Sequence, residues 1–155
     1  MSPLAGLWAR VSPRLAHRPG SSLTTRAHAW LVRRTRGRVG SRFLGVPVLV
    51  LRTVGRRSGK RRESPMFYLR HDDRFAVVAS NAASERPPAW WLNLQARPDA
   101  DVLVNGAVHP VSGREATPEE AATLWPRFVA MYHGYDHYRD IATRELPVVM
   151  LEPRS

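Results

Sequence analysis

The chain has 155 residues and a mass of 17.5 kDa, room for one hydrophobic core and too little for two. Hydrophobic residues make up 43% and cysteine is absent, which excludes disorder by composition, a disulfide framework, a thiolate metal site and a cysteine nucleophile. The net charge of +11 is lopsided: residues 1–62 hold fifteen Lys or Arg and no Asp or Glu, whereas residues 63–155 hold nine bases against thirteen acids. A nucleic-acid module usually spreads basic and aromatic side chains over its folded surface. A mildly acidic body with a basic head does not fit that description, so nucleic acid is not an expected partner. Binding of nucleic acid through the head stays as the weakest alternative.

Ser2-Pro3 and Ser12-Pro13 each set an N-cap before proline at the first helical position, so residues 3–18 read as two short helical pieces ended by Pro19-Gly20. Leu23, Ala27, Trp30 and Leu31 keep helical spacing in a further helix near 22–35. Arg10, Arg14 and Arg18 interrupt any apolar region, so no export signal is expected. A transit peptide is the minority reading of this start; the strong preference for Arg over Lys points to a bacterial chain. The longest apolar run, Phe43 to Leu51, is about half of the roughly 20 residues that span a bilayer. Residues 1–40 are therefore taken as a basic amphipathic helical extension and 41–155 as the folded domain.

From residue 46 the hydrophobic period changes from helix to strand. Strands are expected at 46–53, 64–70 and 74–81, the last two joined by a His71-Asp72-Asp73 turn. Pro87-Pro88 opens a short helix through Ala96, and Arg97-Pro98-Asp99 stops it. Strands at 101–104 and 107–116 meet at Asn105-Gly106, a type I′ signal because both central residues need positive φ. Thr117-Pro118-Glu119-Glu120 combines an N-cap, an N1 proline and a capping-box Glu, and starts a helix to about Met131. A strand at 147–152 ends the chain. Six mostly antiparallel strands with intervening helices and no βαβ alternation predict a mainly β (α+β) fold, a small barrel.

The densest chemistry is the run Gly55-Arg56-Arg57-Ser58-Gly59-Lys60-Arg61-Arg62 between two strands. Its glycines let backbone N–H groups converge on an anion, and guanidinium forks add bidentate bonds to phosphate or carboxylate. A P-loop is excluded by spacing and by the strand that follows; a solvated basic turn is the bland alternative. There is no Gly-x-Ser-x-Gly elbow and no isolated carboxylate pair. His133 and His137 stand four apart, but Gly134 between them and the missing Glu of a His-Glu-x-x-His site argue against a metal. His109 is expected to face solvent from its strand, and Glu119-Glu120 to complement a helix dipole.

Thr53-x-Gly55-Arg56-x-Ser58-Gly59-x-x-Arg62-x-x-Pro65, Val78-Ala79-Ser80, Trp90-x-Leu92-Asn93-Leu94, Trp125-Pro126, Met131-Tyr132, Tyr135 and Tyr138 together resemble the deazaflavin-dependent nitroreductase and quinone-reductase family, in order and spacing from about residue 46 to 153. The resemblance implies a split β-barrel that binds reduced coenzyme F420, an 8-hydroxy-5-deazaflavin, and passes its hydride to a quinone, a nitro compound or a similar electrophile. It implies that Arg56, Arg57, Ser58 and Arg62 bind the coenzyme's phosphate and oligoglutamate end. Pro65, Phe67, Ala79 and Ser80 would line the ring, Trp90 and Asn93 would support it, and Ser80 would donate a hydrogen bond near the reacting edge. Tyr132, Tyr135 and Tyr138, spaced every three residues, would present phenols on one helix face as a catalytic roof; a packing stripe is the alternative. Phe67 and Asn81 depart from the family pattern, where Tyr and Lys are frequent, so the acceptor is not implied.

An FMN-binding enzyme of the same barrel type is the second reading of the function. The expected location is cytoplasmic, with the basic head in peripheral contact with an anionic inner membrane face. Oligomeric state is left between monomer and homodimer.

Overall fold

A computed structural model describes residues 42, 43 and 45–155. The helices expected over 3–18 and 22–35, and the boundary after residue 40, lie outside the described residues. The elements are β1 (Arg42–Phe43), β2 (Val46–Val54), β3 (Arg61–Phe67), β4 (Leu69–His71), β5 (Arg74–Val78), a short turn at Asn81–Ala83, α1 (Ala89–Ala96), β6 (Asp99–Val104), β7 (Ala107–Glu115), α2 (Pro118–Met131), α3 (Gly134–Ile141) and β8 (Val148–Pro153). Among the described residues every strand pairing is antiparallel. The sheet runs β1-β2-β6-β7-β8-β5-β4, with β3 paired to β2, a split β-barrel.

Alternation along each strand sorts side chains between two cores. Leu49, Leu51, Phe75, Val77, Val102, Val111, Val149 and Leu151 fill the barrel interior, where Trp90, Trp91 and Leu94 of α1 close one end. Ala76, Val78, Val148 and Met150 face the other way and are covered by Leu124 and Phe128 of α2 and Tyr135 of α3. Strand β2 is buried on both faces from Val48 to Leu51, as its unbroken apolar run requires. The seat of α1 depends on Gly113: a Cβ there would stand 2.8 Å from Leu94 Cδ1.

Among the described residues the six expected strands become eight. The expected strand 64–70 breaks at Tyr68 and changes partner: β3 pairs with β2, from Val48↔Phe67 to Val54↔Arg61, whereas β4 pairs with β5, from Leu69↔Ala76 to His71↔Arg74. The expected strand 74–81 stops at Val78, because Asn81, Ala82 and Ala83 all take positive φ, of 45, 50 and 59°, which no strand accommodates. The Asp72-Asp73 turn, the Asn105-Gly106 turn with φ of 50 and 80°, the start of α2 at Thr117 and its end at Met131 agree with the expectation. The tyrosine series does not lie on one helix. Tyr132 is the extended cap of α2, φ −147°, and only Tyr135 and Tyr138 lie on α3. A Cβ at Gly134 would collide with the Tyr132 ring, so this glycine lets the phenol fold across the corner. His109, expected to face solvent, is half-buried with its ring 5.6 Å from Phe75.

Candidate functional site

The β2–β3 hairpin carries the basic run to one end of the barrel. Thr53 pairs with Arg62 and Val54 with Arg61, which leaves residues 55–60 as the connection. Gly55 N–H donates to Lys60 O and Gly59 N–H to Gly55 O, both at 2.8 Å, and Lys60 N–H donates to Ser58 Oγ at 3.2 Å. Gly59 takes φ +67°, and a Cβ on Gly55 would stand 2.6 Å from Ser58 Oγ; the turn is a close cradle built on those two glycines. Asn93 of α1 anchors it. This buried amide donates to Thr53 Oγ1 at 3.2 Å, and its Oδ1 accepts from Arg56 N–H at 3.1 Å and from Arg56 Nη1 at 3.3 Å. Arg56, Arg57, Lys60, Arg61 and Arg62 are exposed. Among the described residues the ion pairs lie elsewhere, so none of these five cations is neutralised by a carboxylate.

Beside the hairpin the barrel has a seam. Strands β3 and β5 touch without a ladder between them. Phe67 packs against the outer cluster that holds Val78, although β3 has by then turned to pair with β2. Pro65 and Phe67 lie on β3, and Ala79 and Ser80 directly follow β5, so the two pairs belong to the strands on either side of the seam. Ala79 is fully buried and shares the interior cluster with Trp90, whereas Ser80 is half-buried at the rim. Asn93, read from sequence beside Trp90 as ring support, spends its hydrogen bonds on Thr53 and the basic hairpin.

The rim beyond Ser80 is strained. Ala83 N–H donates to Ser80 O at 2.9 Å and Ser84 N–H to Asn81 O at 3.0 Å, closing a left-handed turn of three non-glycine residues. Such residues cost about 1–2 kcal/mol each and persist where the surroundings over-determine them. Asn81 Nδ2 donates to Ser84 Oγ at 2.6 Å and to Arg86 O at 2.9 Å. Arg144, from the segment after α3, reaches across: its guanidinium donates to Ala79 O at 3.2 Å, Ser80 O at 2.8 Å, Ser84 O at 2.9 Å and Glu145 O at 2.9 Å. Its acceptors are backbone carbonyls rather than a carboxylate, and desolvation holds its pKa below the ordinary guanidinium value. Sequence reasoning missed Arg144, for nothing near it in the chain marks a partner 64 residues away.

The aromatic corner between α2 and α3 reaches the other lip of the seam. Phe67 meets Tyr132 edge-on at 5.4 Å; Tyr132 lies 5.5 Å from Tyr135 and 6.3 Å from Tyr138. Tyr135 is buried among Leu124 and Phe128, whereas Tyr132 and Tyr138 are half-buried. Burial pushes the phenol pKa of Tyr135 and Tyr138 well above the ordinary value, for Tyr138 with help from its hydrogen bond to Tyr132. Both stay neutral donors. Behind this corner a cavity of about 920 Å³ is lined by Trp125, Arg139, Arg144 and Leu146 among others, and a smaller one of about 360 Å³ by Arg61, Arg52, Arg97 and Arg154 with Asp99 and Asp101. Arg61 is the one residue of the basic run that lines either. Among the described residues no group of three or more His, Asp or Glu could hold a metal ion.

A match to the family described as F420H(2)-dependent quinone reductase spans residues 24–153. The chain belongs to that family. It is accordingly an oxidoreductase whose cofactor is coenzyme F420, which decides against the FMN alternative. The F420H(2)-dependent quinone reductase Rv1261c of Mycobacterium tuberculosis is 33% identical over 134 residues, covering 83% of this chain and 89% of its own length. The solved structure described as an F420-H2 dependent reductase, FDR-A, is 31% identical with a TM-score of 0.63, covering 68% of this chain and 94% of that one. A second, described as a domain-swapped dimer, is 27% identical with a TM-score of 0.65, covering 87% of this chain and all of that one. The hairpin fits an F420H(2)-dependent enzyme: four guanidinium groups and one ammonium around a glycine cradle are a donor set for a polyanion.

Proposed function

We propose that the basic hairpin and the β3–β5 seam form one cofactor site, at which this F420H(2)-dependent reductase acts on a quinone or a similarly flat electrophile such as a nitro compound. The observation that carries the reading is the unneutralised hairpin, anchored through Asn93 beside the seam. Arg56, Arg57 and Arg62, with Ser58 inside the turn, hold the phosphate and carboxylate end. Pro65, Phe67, Ala79 and Ser80 enclose the ring, with Trp90 beneath Ala79. When bound, the reduced cofactor supplies a hydride. The chain positions the partners, excludes water and offers hydrogen bonds. Tyr132 and Tyr138 stand at the Phe67 lip, where a neutral phenol can orient an acceptor oxygen; Tyr135 supports them from the core.

Titrating the protein with reduced F420 tests this. Each charge-assisted hydrogen bond is worth about 1.5–3 kcal/mol, so Arg56→Ala with Arg62→Ala is expected to weaken affinity by about 100-fold or more while leaving the unfolding midpoint nearly unchanged. Affinity should also fall as salt rises. Equal affinity of wild type and double variant would overturn the placement.

A lipophilic acceptor suits an enzyme at a membrane surface. Residues 1–40 carry eight Arg and no acid, with Trp8 and Trp30, the composition of a segment that lies in an anionic interface. We place the protein in the cytoplasm with this head on the inner membrane face. Among the described residues no helix is long and apolar enough to cross. The full chain should float with anionic vesicles and not with neutral ones; recovery in the soluble fraction with both would reject the attachment.

A further inference from the structure

We propose that Arg144 is a positioning residue for the cofactor site: it locks the left-handed turn at Asn81–Ala83 and so fixes where Ser80 stands on the rim of the seam. This rests on the placement of the deazaflavin ring at that seam.

Three observations converge on Arg144. Its guanidinium spans the turn from end to end, donating to Ala79 and Ser80 carbonyls before it and to the Ser84 carbonyl after it. The Ser80 carbonyl that accepts from Arg144 at 2.8 Å also accepts from Ala83 N–H at 2.9 Å, so the side chain and the turn's own closing bond meet on one oxygen. The turn holds three consecutive non-glycine residues at positive φ, of which Ala82 and Ala83 have no side-chain polar group to favour that conformation. Asn81 braces the exit through Ser84 Oγ and Arg86 O, but no Asn81 bond reaches back to Ser80 or Ala79. That task falls to Arg144. A planar guanidinium offers five donors in a fixed fork for the four carbonyls that Arg144 reaches, whereas an ammonium has only three.

Arg144 contacts the rim from behind, through backbone, on the wall of the 920 Å³ cavity. Its loss should therefore move Ser80 without touching the anion-binding hairpin. The expected signature is the reverse of the hairpin variant: reaction rate falls while cofactor affinity, set mainly at the charged end, holds.

Arg144→Gln and Arg144→Lys, made in the full chain, test this by two independent measurements. In the cofactor-free protein, amide hydrogen exchange at Ala83 and Ser84 should rise at least tenfold in Arg144→Gln and less in Arg144→Lys, with strands β2 and β6 unchanged. With reduced F420 and menadione as acceptor, kcat should fall about tenfold or more in Arg144→Gln, the dissociation constant for F420 should change less than threefold, and Arg144→Lys should recover part of the rate. Unchanged exchange at Ala83 and Ser84 would overturn the clamp. Raised exchange with unchanged kcat would overturn its role at the cofactor site. If wild type itself failed to bind reduced F420, the ring placement would fall and this role with it. Exchange in the cofactor-free protein tells that result apart from failure of the clamp.

Discussion

Asn93 occupies a buried position from which one amide serves a strand and a loop. Its Nδ2 satisfies Thr53 Oγ1 and its Oδ1 takes two donors from Arg56, so truncation would leave the Thr53 hydroxyl and the Arg56 N–H without their partner. Unsatisfied buried groups cost about 1–3 kcal/mol. Asn93→Ala is expected to lower stability by that amount in a urea titration and to weaken F420 binding, since the hairpin loses its tether; wild-type affinity in this variant would show that the turn holds itself. The residue was visible in sequence as part of Trp90-x-Leu92-Asn93-Leu94, but its use was not. A short helix with an Asn among its apolar residues says nothing of a partner 37 residues away. The same holds for Arg144, whereas the exposure of Arg56 and Arg62 was legible because five cations between two strands cannot all be placed against a core.

Elements whose signals are local were read well. Thr117 accepts from Glu120 N–H at 3.2 Å while Glu120 Oε2 accepts from Thr117 N–H at 2.9 Å, the reciprocal cap that the Thr-Pro-Glu-Glu sequence announces. Thr117→Ala should cost about 1 kcal/mol, seen as a lower midpoint of thermal unfolding with no change in F420 affinity. Elements decided by closure were not legible. The break at Tyr68 arises because β3 follows β2 while β4 follows β5, and the left-handed turn after Ala79 is held by a side chain from beyond α3. No composition or period in 64–84 encodes either. Both features lie at the proposed site: the seam exists because one strand changes partner, and its rim is shaped by the turn.

The elements are joined across the molecule by a charge network distant from the basic hairpin. Arg114 of β7 bridges Glu120 of α2 and Glu152 of β8, each at 2.8 Å, and Arg74 of β5 reaches the same two carboxylates at 3.1 and 3.4 Å. The hydrogen bond from Arg114, then that from Thr117 N–H, lower the Glu120 carboxyl from 4.5 to about 2; Arg114 lowers Glu152 as well. For Glu120 the folded state binds its proton less readily than the unfolded state, so the unfolded chain takes up more protons between about pH 4.5 and about pH 2. The network's contribution is complete above that window and is lost as pH falls through it. Glu120→Gln keeps an acceptor for the Thr117 cap and removes the charge. Its urea midpoint should lie below wild type at neutral pH, and the two curves should converge as the acid limb is descended. A gap that stays constant into the acid would show that Glu120 acts through packing and capping, and that the tie between α2 and the β7–β8 pair is not ionic.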